Sequence, residues 1–229
     1  MNSVNPLKNT LETSRQFEAI PLYEMKNRNW FWIGKRIQDV CLSLLGLILL
    51  FPLLLLIALL IKAEDPRGAV IFAQTRVGKN GKLFKMYKFR SMVSDAEVML
   101  EELMNQNEIS GAMFKMKNDP RITRVGRFIR KTSLDELPQL INVLKGNMSL
   151  VGPRPPLPRE VNDYTSYDMM RLLVVPGCTG LWQISGRNHV GFQEMVELDL
   201  EYIRNQSFIN DIVIMCKTVK VLFGADNAY

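Results

Sequence analysis

Histidine is nearly absent from this 229-residue chain, where His189 stands alone. One imidazole cannot build a zinc site that needs two or three, nor relay protons through several histidines. It could serve a nucleophile triad, but no serine sits in a Gly-x-Ser-x-Gly context. Cysteine is almost as scarce. Cys41, Cys178 and Cys216 lie far apart without a Cys-x-x-Cys pair, so they read as reduced, buried thiols of a cytosol-facing protein and not as a disulfide framework. The glycines form neither a P-loop nor a dinucleotide fingerprint. Internal repeats, low-complexity tracts and a signal-peptide cleavage pattern are all missing. A charged fraction of 23% argues against both a polytopic channel and a disordered chain.

What the chain does contain is unevenly placed. Apolar residues make up 47%, and the net charge is +6. From Val40 to Ile61 there are 22 residues with no charge, whereas the window from Pro120 to Glu160 alone carries +5. One segment suits lipid and another suits anions.

At about 1.5 Å rise per residue the uncharged run could cross a hydrocarbon core of about 30 Å. Trp30-Phe31-Trp32 and Lys35-Arg36 precede it, the aromatic and cationic mixture that a headgroup layer favours. Pro52 near its middle predicts a kink. Cations flank both ends, so the positive-inside rule is content with both on the cytoplasmic side. A Pro-broken helix that enters and leaves by one face fits these observations, and so does an ordinary kinked transmembrane helix.

The remaining pattern predicts a mixed α/β domain. Residues 1–29 read as a polar leader, 30–63 as the membrane segment and 64–229 as the domain. Strands are expected over 69–73 and 83–89, joined by a turn at Gly78-Lys-Asn-Gly81. Helices are expected over 94–106, 135–144 (ended by Gly146), 194–202 and 211–223. Four prolines between Gly152 and Pro158 require extended chain.

The sharpest chemical feature is Arg121-Ile-Thr-Arg-Val-Gly-Arg-Phe-Ile-Arg130, followed by Asp135-Glu136. Arginines at every third position keep two or three on any side of a helix, a surface able to grip phosphate oxygens. The acidic pair has two readings: Ser133-Leu-Asp-Glu136 fits a capping box, and an acidic pair among arginines also fits catalysis. Lys88-Phe-Arg90 and Gly186-Arg187 add cations, and Arg154 is mounted between Pro153 and Pro155. Trp182, on an expected strand, suits either the core or stacking on a base. Asp199 reads as an exposed helix residue or a ligand. Nucleic acid would also suit the basic window, but an apolar run some sixty residues upstream makes it a poor second.

Lys88-Phe-Arg-Ser-Met92, Arg130-Lys-Thr-Ser-Leu-Asp-Glu-Leu-Pro-Gln139, Gly146-Asn-Met-Ser-Leu-Val-Gly-Pro-Arg-Pro155 and Pro176-Gly-Cys-Thr-Gly-Leu-Trp-Gln-Ile-Ser-Gly-Arg187 together resemble the bacterial sugar transferase family. These are monotopic phosphoglycosyl transferases that begin capsule, exopolysaccharide and glycan assembly. The likeness runs from about Gly34 to the C-terminus, about 85% of the chain. It implies a compact cytoplasmic α/β catalytic domain on a re-entrant, Pro-broken helix with its break at Pro52. This sequence has Phe51-Pro52 where the family often has Ser-Pro. It also implies a minimal catalytic unit, without the several-helix N-terminal module of longer members.

The activity so implied is transfer of a sugar 1-phosphate from a UDP-sugar to undecaprenyl phosphate at the cytoplasmic membrane face, with release of UMP. By the same resemblance Asp135 is the nucleophile and a ligand of Mg²⁺, and Glu136 is a base or positioning group. Lys88, Arg90, Arg127, Arg130, Arg154, Arg187 and Asp199 would bind substrate or phosphate. The expected partners are the UDP-sugar, the lipid phosphate and the bilayer, with no nucleic acid; the oligomeric state is open, a homodimer included. The rival reading is a non-catalytic, membrane-anchored protein that holds anionic lipid or polymer on its basic patch.

Overall fold

The uncharged run is the body of a single 36-residue helix, α1 (Asn29–Glu64), in a computed structural model that describes residues 29–96, 98–99, 119–186 and 190–223. Leucine is a strong helix former, and runs of it flank Pro52 on both sides. The helix therefore continues through the proline, which removes one hydrogen bond without ending the element. Pro52 thus lies inside one continuous helical element, which is compatible with a bend at the proline.

One stripe of α1 faces the rest of the protein. Lys35, Asp39 and Ser43, four residues apart, are buried, as are Ile57 and Ile61 further on. Near the start, Lys35 forms a buried ion pair with Asp211. The Arg36 guanidinium donates to the Leu144 carbonyl at 2.8 Å, and Asp39 accepts from the Leu150 amide at 3.0 Å. Near the end, Ile57 and Ile61 pack with Phe89 and Ile129. The Glu64 carboxylate accepts from the Arg124 and Val125 amides at 2.7 and 3.0 Å. Lys35 and Arg36 therefore serve the protein interior and not a headgroup layer. The opposite face is bare: Ile48, Leu49 and Phe51 are 62%, 69% and 62% exposed.

After α1 come β1 (Ile71–Val77) and β2 (Leu83–Phe89), an antiparallel hairpin in which Ile71 pairs with Phe89 and Arg76 with Phe84. The first strand starts later and runs longer than its apolar residues suggest. Helix α2 (Arg124–Lys131) has its free amides satisfied by Thr123, which accepts from Gly126 at 2.9 Å, and by Glu64. A 3-10 turn (Leu134–Glu136) and α3 (Gln139–Leu144) follow. Helix α3 ends as expected on Gly146, at φ 80°. The Asn147 amide reaches back to the Asn142 carbonyl, closing a Schellman turn.

β3 (Ser149–Val151) and β4 (Gly177–Thr179) form a short parallel pair. The crossover between them holds the proline-rich segment, α4 (Pro158–Val161) and a 3-10 turn (Asp168–Leu173). The chain then runs through α5 (Leu181–Ile184), α6 (Phe192–Arg204) and α7 (Phe208–Phe223). Trp182 thus lies on a helical turn, not on a strand. The main core joins Val151 and Val174 to Val196, Leu200, Tyr202, Ile203 and Ile214. On α7 the periodic residues Ile212 and Val219 are about half exposed, Met215 packs against the core, and Ile214 is buried within it. Cys41 and Cys216 are exposed free thiols, which corrects the expectation of three buried ones. Most of the acidic helix expected over 94–106 lies outside the described residues.

Gly126 fixes the seat of α2. A Cβ there would lie 2.0 Å from the Ser91 carbonyl oxygen, so backbone would have to move. Gly126→Ala is expected to cost about 1–3 kcal/mol or more and to lower the thermal midpoint of detergent-solubilised protein accordingly; an unchanged midpoint would show that α2 sits elsewhere.

Candidate active site

Asp135 and Glu136 leave α2 through a backbone contortion. Ser133 is left-handed, at φ 55° and ψ 17°, and makes no side-chain cap. A capping residue needs extended geometry to offer its oxygen to the following amides, so the capping-box reading fails here. The left-handed step instead turns the 3-10 segment toward the hairpin. There the Lys88 ammonium, one residue from the end of β2, donates to Glu136 Oε1 at 2.6 Å and lies 4.0 Å from Asp135 Oδ2.

The two carboxylates have different surroundings. Glu136 is partly exposed and holds Lys88, while Asp135 is 9% exposed. Burial pushes the Asp135 carboxyl up to about 6; Lys88 and Arg130 pull it down, and Glu136 pushes it further up. Arg130 is held in place by donating to Ser91 Oγ at 2.9 Å.

A polar cavity of about 170 Å³ opens beside Glu136, lined by Arg76, Lys88, Arg154, Gln139, Trp182 and Gln183. The proline-rich segment is laid along β1: Arg76 donates to the Pro155 carbonyl at 3.2 Å and Val77 to Pro156 at 2.9 Å. Arg154 thereby reaches the same cavity, where it also meets Glu160 at 3.5 Å. Burial, and then the charge of Arg154, lowers Arg76 to about 10.

Of the residues singled out from sequence, Asp135, Glu136, Lys88, Arg130 and Arg154 come together. Arg127 is exposed on the outer side of α2. Arg90 is anchored by its backbone amide to Val70, and its buried Nε has no partner. Arg187 lies outside the described residues. Asp199 is neither exposed nor a cavity residue. It is fully buried on α6 and ion-paired with Arg171 at 2.6 Å. Burial pushes it up to about 6, and Arg171 favours its ionised form. It belongs to the scaffold behind Arg154, whose backbone lies next to this pair.

Arg76, Gln139 and Gln183 were missed. With β1 read as ending at residue 73, Arg76 fell in a loop. In the observed register residues 72, 74 and 76 share a face with 84, 86 and 88, so Arg76 points with Lys88. The sequence signal was the turn at Gly78–Gly81, which lies where expected and carries the strand pairing on to Val77 and Leu83.

Among the described residues no cluster of three His, Cys, Asp or Glu side chains could hold a metal by itself. Two adjacent carboxylates beside a cationic cavity are nevertheless a hard-oxygen donor set that suits Mg²⁺, which uses one or two carboxylates and completes its shell with water and substrate phosphate.

A family model described as bacterial sugar transferase matches residues 30–225. An undecaprenyl-phosphate galactose phosphotransferase of Salmonella typhimurium is 50% identical over 199 residues, 85% of this chain and 41% of the relative. A UDP-glucose:undecaprenyl-phosphate glucose-1-phosphate transferase of Escherichia coli is 42% identical over 233 residues, covering 98% and 48%. The exopolysaccharide production protein ExoY of Rhizobium meliloti is 43% identical over 201 residues, covering 86% and 88%. The chain spans less than half the length of the first two relatives and most of the third.

A carboxyl raised from 3.8 to about 6 binds its proton more tightly in the folded state, so stability falls as pH rises between those values. Asp135→Asn removes that cost while Lys88 keeps Glu136. The variant is expected to melt roughly 2–4 °C higher at pH 7.5, with the gap closing below pH 4. Calorimetry in detergent checks this, and a lower midpoint at pH 7.5 would contradict a desolvated carboxylate.

Proposed function

This chain belongs to the bacterial sugar transferase family, and from that premise we propose that it transfers a sugar 1-phosphate from a UDP-sugar to undecaprenyl phosphate with release of UMP. The observation that carries the reading is the buried Asp135 carboxylate beside Lys88 and Arg130, with Lys88 and Glu136 in turn on the wall of the cavity that holds Arg76 and Arg154. An anionic lipid or polymer held on a basic patch would not need an acidic pair within it.

In the proposed reaction an oxygen of Asp135 attacks the β-phosphorus of the UDP-sugar. The bond from that phosphorus to the bridging oxygen breaks, and UMP departs with the electron pair. The acyl phosphosugar so formed is attacked at phosphorus by a phosphate oxygen of the lipid. The Asp135 carboxylate is thereby regenerated, leaving lipid diphosphosugar. A raised pKa makes Asp135 more basic than a free carboxylate yet ionised at neutral pH, a match for nucleophilic catalysis. Arg76 and Arg154 would neutralise charge on the diphosphate and preorganise its oxygens. Glu136 positions Lys88, which shields the incoming anion from the carboxylate pair. Mg²⁺ held by Asp135 would supply further charge neutralisation at the diphosphate. Histidine has no part in this scheme.

Membrane placement rests on α1. It has an 18-residue window of mean hydropathy 3.2, and its outer face is bare. Its two ends dock on the same domain, through Lys35 and Arg36 at one end and Ile61 and Glu64 at the other. A helix crossing the bilayer would send its ends to opposite sides, about 30 Å apart. Two-ended docking supports instead a re-entrant helix with the domain on one face of the bilayer, which the family reading makes the cytoplasmic one.

Asp135→Asn is expected to abolish UMP release from a UDP-sugar and undecaprenyl phosphate, by at least about 10³-fold, while membrane association persists; full activity would sink the mechanism. In the unsubstituted protein kcat should rise about tenfold per pH unit below the Asp135 value of about 6 and level off above it. For topology, single cysteines replacing Trp30 or Val70, in a background without the three native thiols, should both react with impermeant maleimide from the cytoplasmic side alone. Labelling from opposite sides would establish a true span.

A further inference from the structure

We propose that a second, apolar cavity next to the acidic pair receives the first isoprene units of the acceptor's hydrocarbon chain, an inference that rests on the acceptor reading above. This cavity has a volume of about 300 Å³, and Leu137, Leu140, Leu150, Met215 and Val219 supply its apolar wall. It shares Glu136, Gln139, Cys178 and Gln183 with the smaller cationic cavity. One partition thus has phosphate-binding cations on one side and hydrocarbon on the other.

A space of that size is well beyond the water-sized voids of ordinary packing. Its exposed wall is mostly apolar. The Thr179 and Thr218 hydroxyls lie 2.7 Å apart and satisfy each other. Gln183 donates its amide to the Cys178 carbonyl, while its Oε1 is a buried acceptor on the shared partition without a hydrogen-bond partner among the described residues. An alkyl chain suits the apolar wall and needs no hydrogen-bond partner from it. Two features connect the cavity to the bilayer side. Leu140 lies 3.4 Å from where a Cβ would stand on Gly46, so its wall is backed by the middle of α1. Val219 lines the cavity and is also 53% exposed, so the space reaches the outer face of α7, where Ile212 is bare as well. An amphipathic acceptor entering between α1 and α7 would bring its phosphate to the partition with its tail still in apolar surroundings.

The test uses the full chain in lipid nanodiscs and polyprenyl phosphate with a photoreactive diazirine in its first isoprene units. Labels are expected on Leu140 or within residues 215–221. Independently, Val219→Trp, a half-exposed position that tolerates bulk, is expected to reduce the preference in kcat/KM for undecaprenyl phosphate over a ten-carbon prenyl phosphate at least tenfold. Labels confined to the outer face of α1, or an unaltered preference in Val219→Trp, would overturn the site while leaving the transfer reaction standing. Failure of the unsubstituted chain to release UMP with the lipid acceptor would remove the acceptor reading and this site together.

Discussion

The Lys35–Asp211 ion pair is buried where an otherwise apolar helix meets the domain, and the position of the site follows from that docking. Taking two charges out of water is costly, and an apolar contact of equal size would often be as stable. Register is what the pair supplies. Asp211 also lies 2.8 Å from the Tyr202 hydroxyl, itself 2.9 Å from the Val151 carbonyl. One turn further along α1, Asp39 takes the Leu150 amide. A leucine-rich surface could slide on a core by a turn with little change in buried area. Here a slide would strand several buried polar groups at once, at a penalty of roughly 1–3 kcal/mol each.

That register reaches the acidic pair through α3. Arg36 satisfies carbonyls at the C-terminal end of α3. Asn142, fully buried on the same helix, accepts from the Tyr87 amide at 2.9 Å and donates to the Lys85 carbonyl at 2.7 Å. It occupies the free edge of β2 as a neighbouring strand would. The 3-10 turn bearing Asp135 and Glu136 is thus held between α2, clamped by Glu64, and α3, clamped by Arg36 and Asn142. Helix α1 contributes to both clamps. In the proposed function, a site on a loop with both flanks tied to α1 keeps a fixed distance from the bilayer surface, where the proposed lipid acceptor would arrive.

The sequence made some of this legible and hid the rest for physical reasons. The hairpin's second strand, the Gly146 stop and the two C-terminal helices announce themselves because local chemistry decides them: alternation, a left-handed glycine, helical periodicity. The apolar run was equally plain, but its docking was not, since Lys35 and Arg36 before a hydrophobic run look like headgroup anchors until Asp211 and the α3 carbonyls are seen across more than a hundred residues. Ser133-Leu-Asp-Glu136 has the composition of a capping box, and only the left-handed Ser133 shows that the box is unused. Asp199 misled in the opposite direction. Its neighbours Glu197 and Glu201 suggested a solvated face, yet helical geometry turns the middle residue inward to Arg171. Long-range charge partners leave no local pattern, and these were the points at which reading the chain alone went astray.

Arg154 illustrates how such hidden partners serve a cationic site. Prolines restrict its backbone on both sides, and the fully buried Arg171–Asp199 pair stands behind it. In front, β3 and β4 approach so closely that a Cβ on Gly177 would fall 2.1 Å from the Gly152 nitrogen. The guanidinium is therefore carried on a rigid frame and faced by Arg76, whose own charge is disfavoured by burial and by Arg154. The two like charges repel across the cavity, and the Glu160 and Glu136 carboxylates offset part of that repulsion. A diphosphate would relieve that repulsion on entering, and it would do so most fully as charge accumulates on the oxygens of a departing phosphate. The crowding of these cations and their fitness for the proposed phosphoryl transfer are then one property, fixed by folding before a substrate arrives.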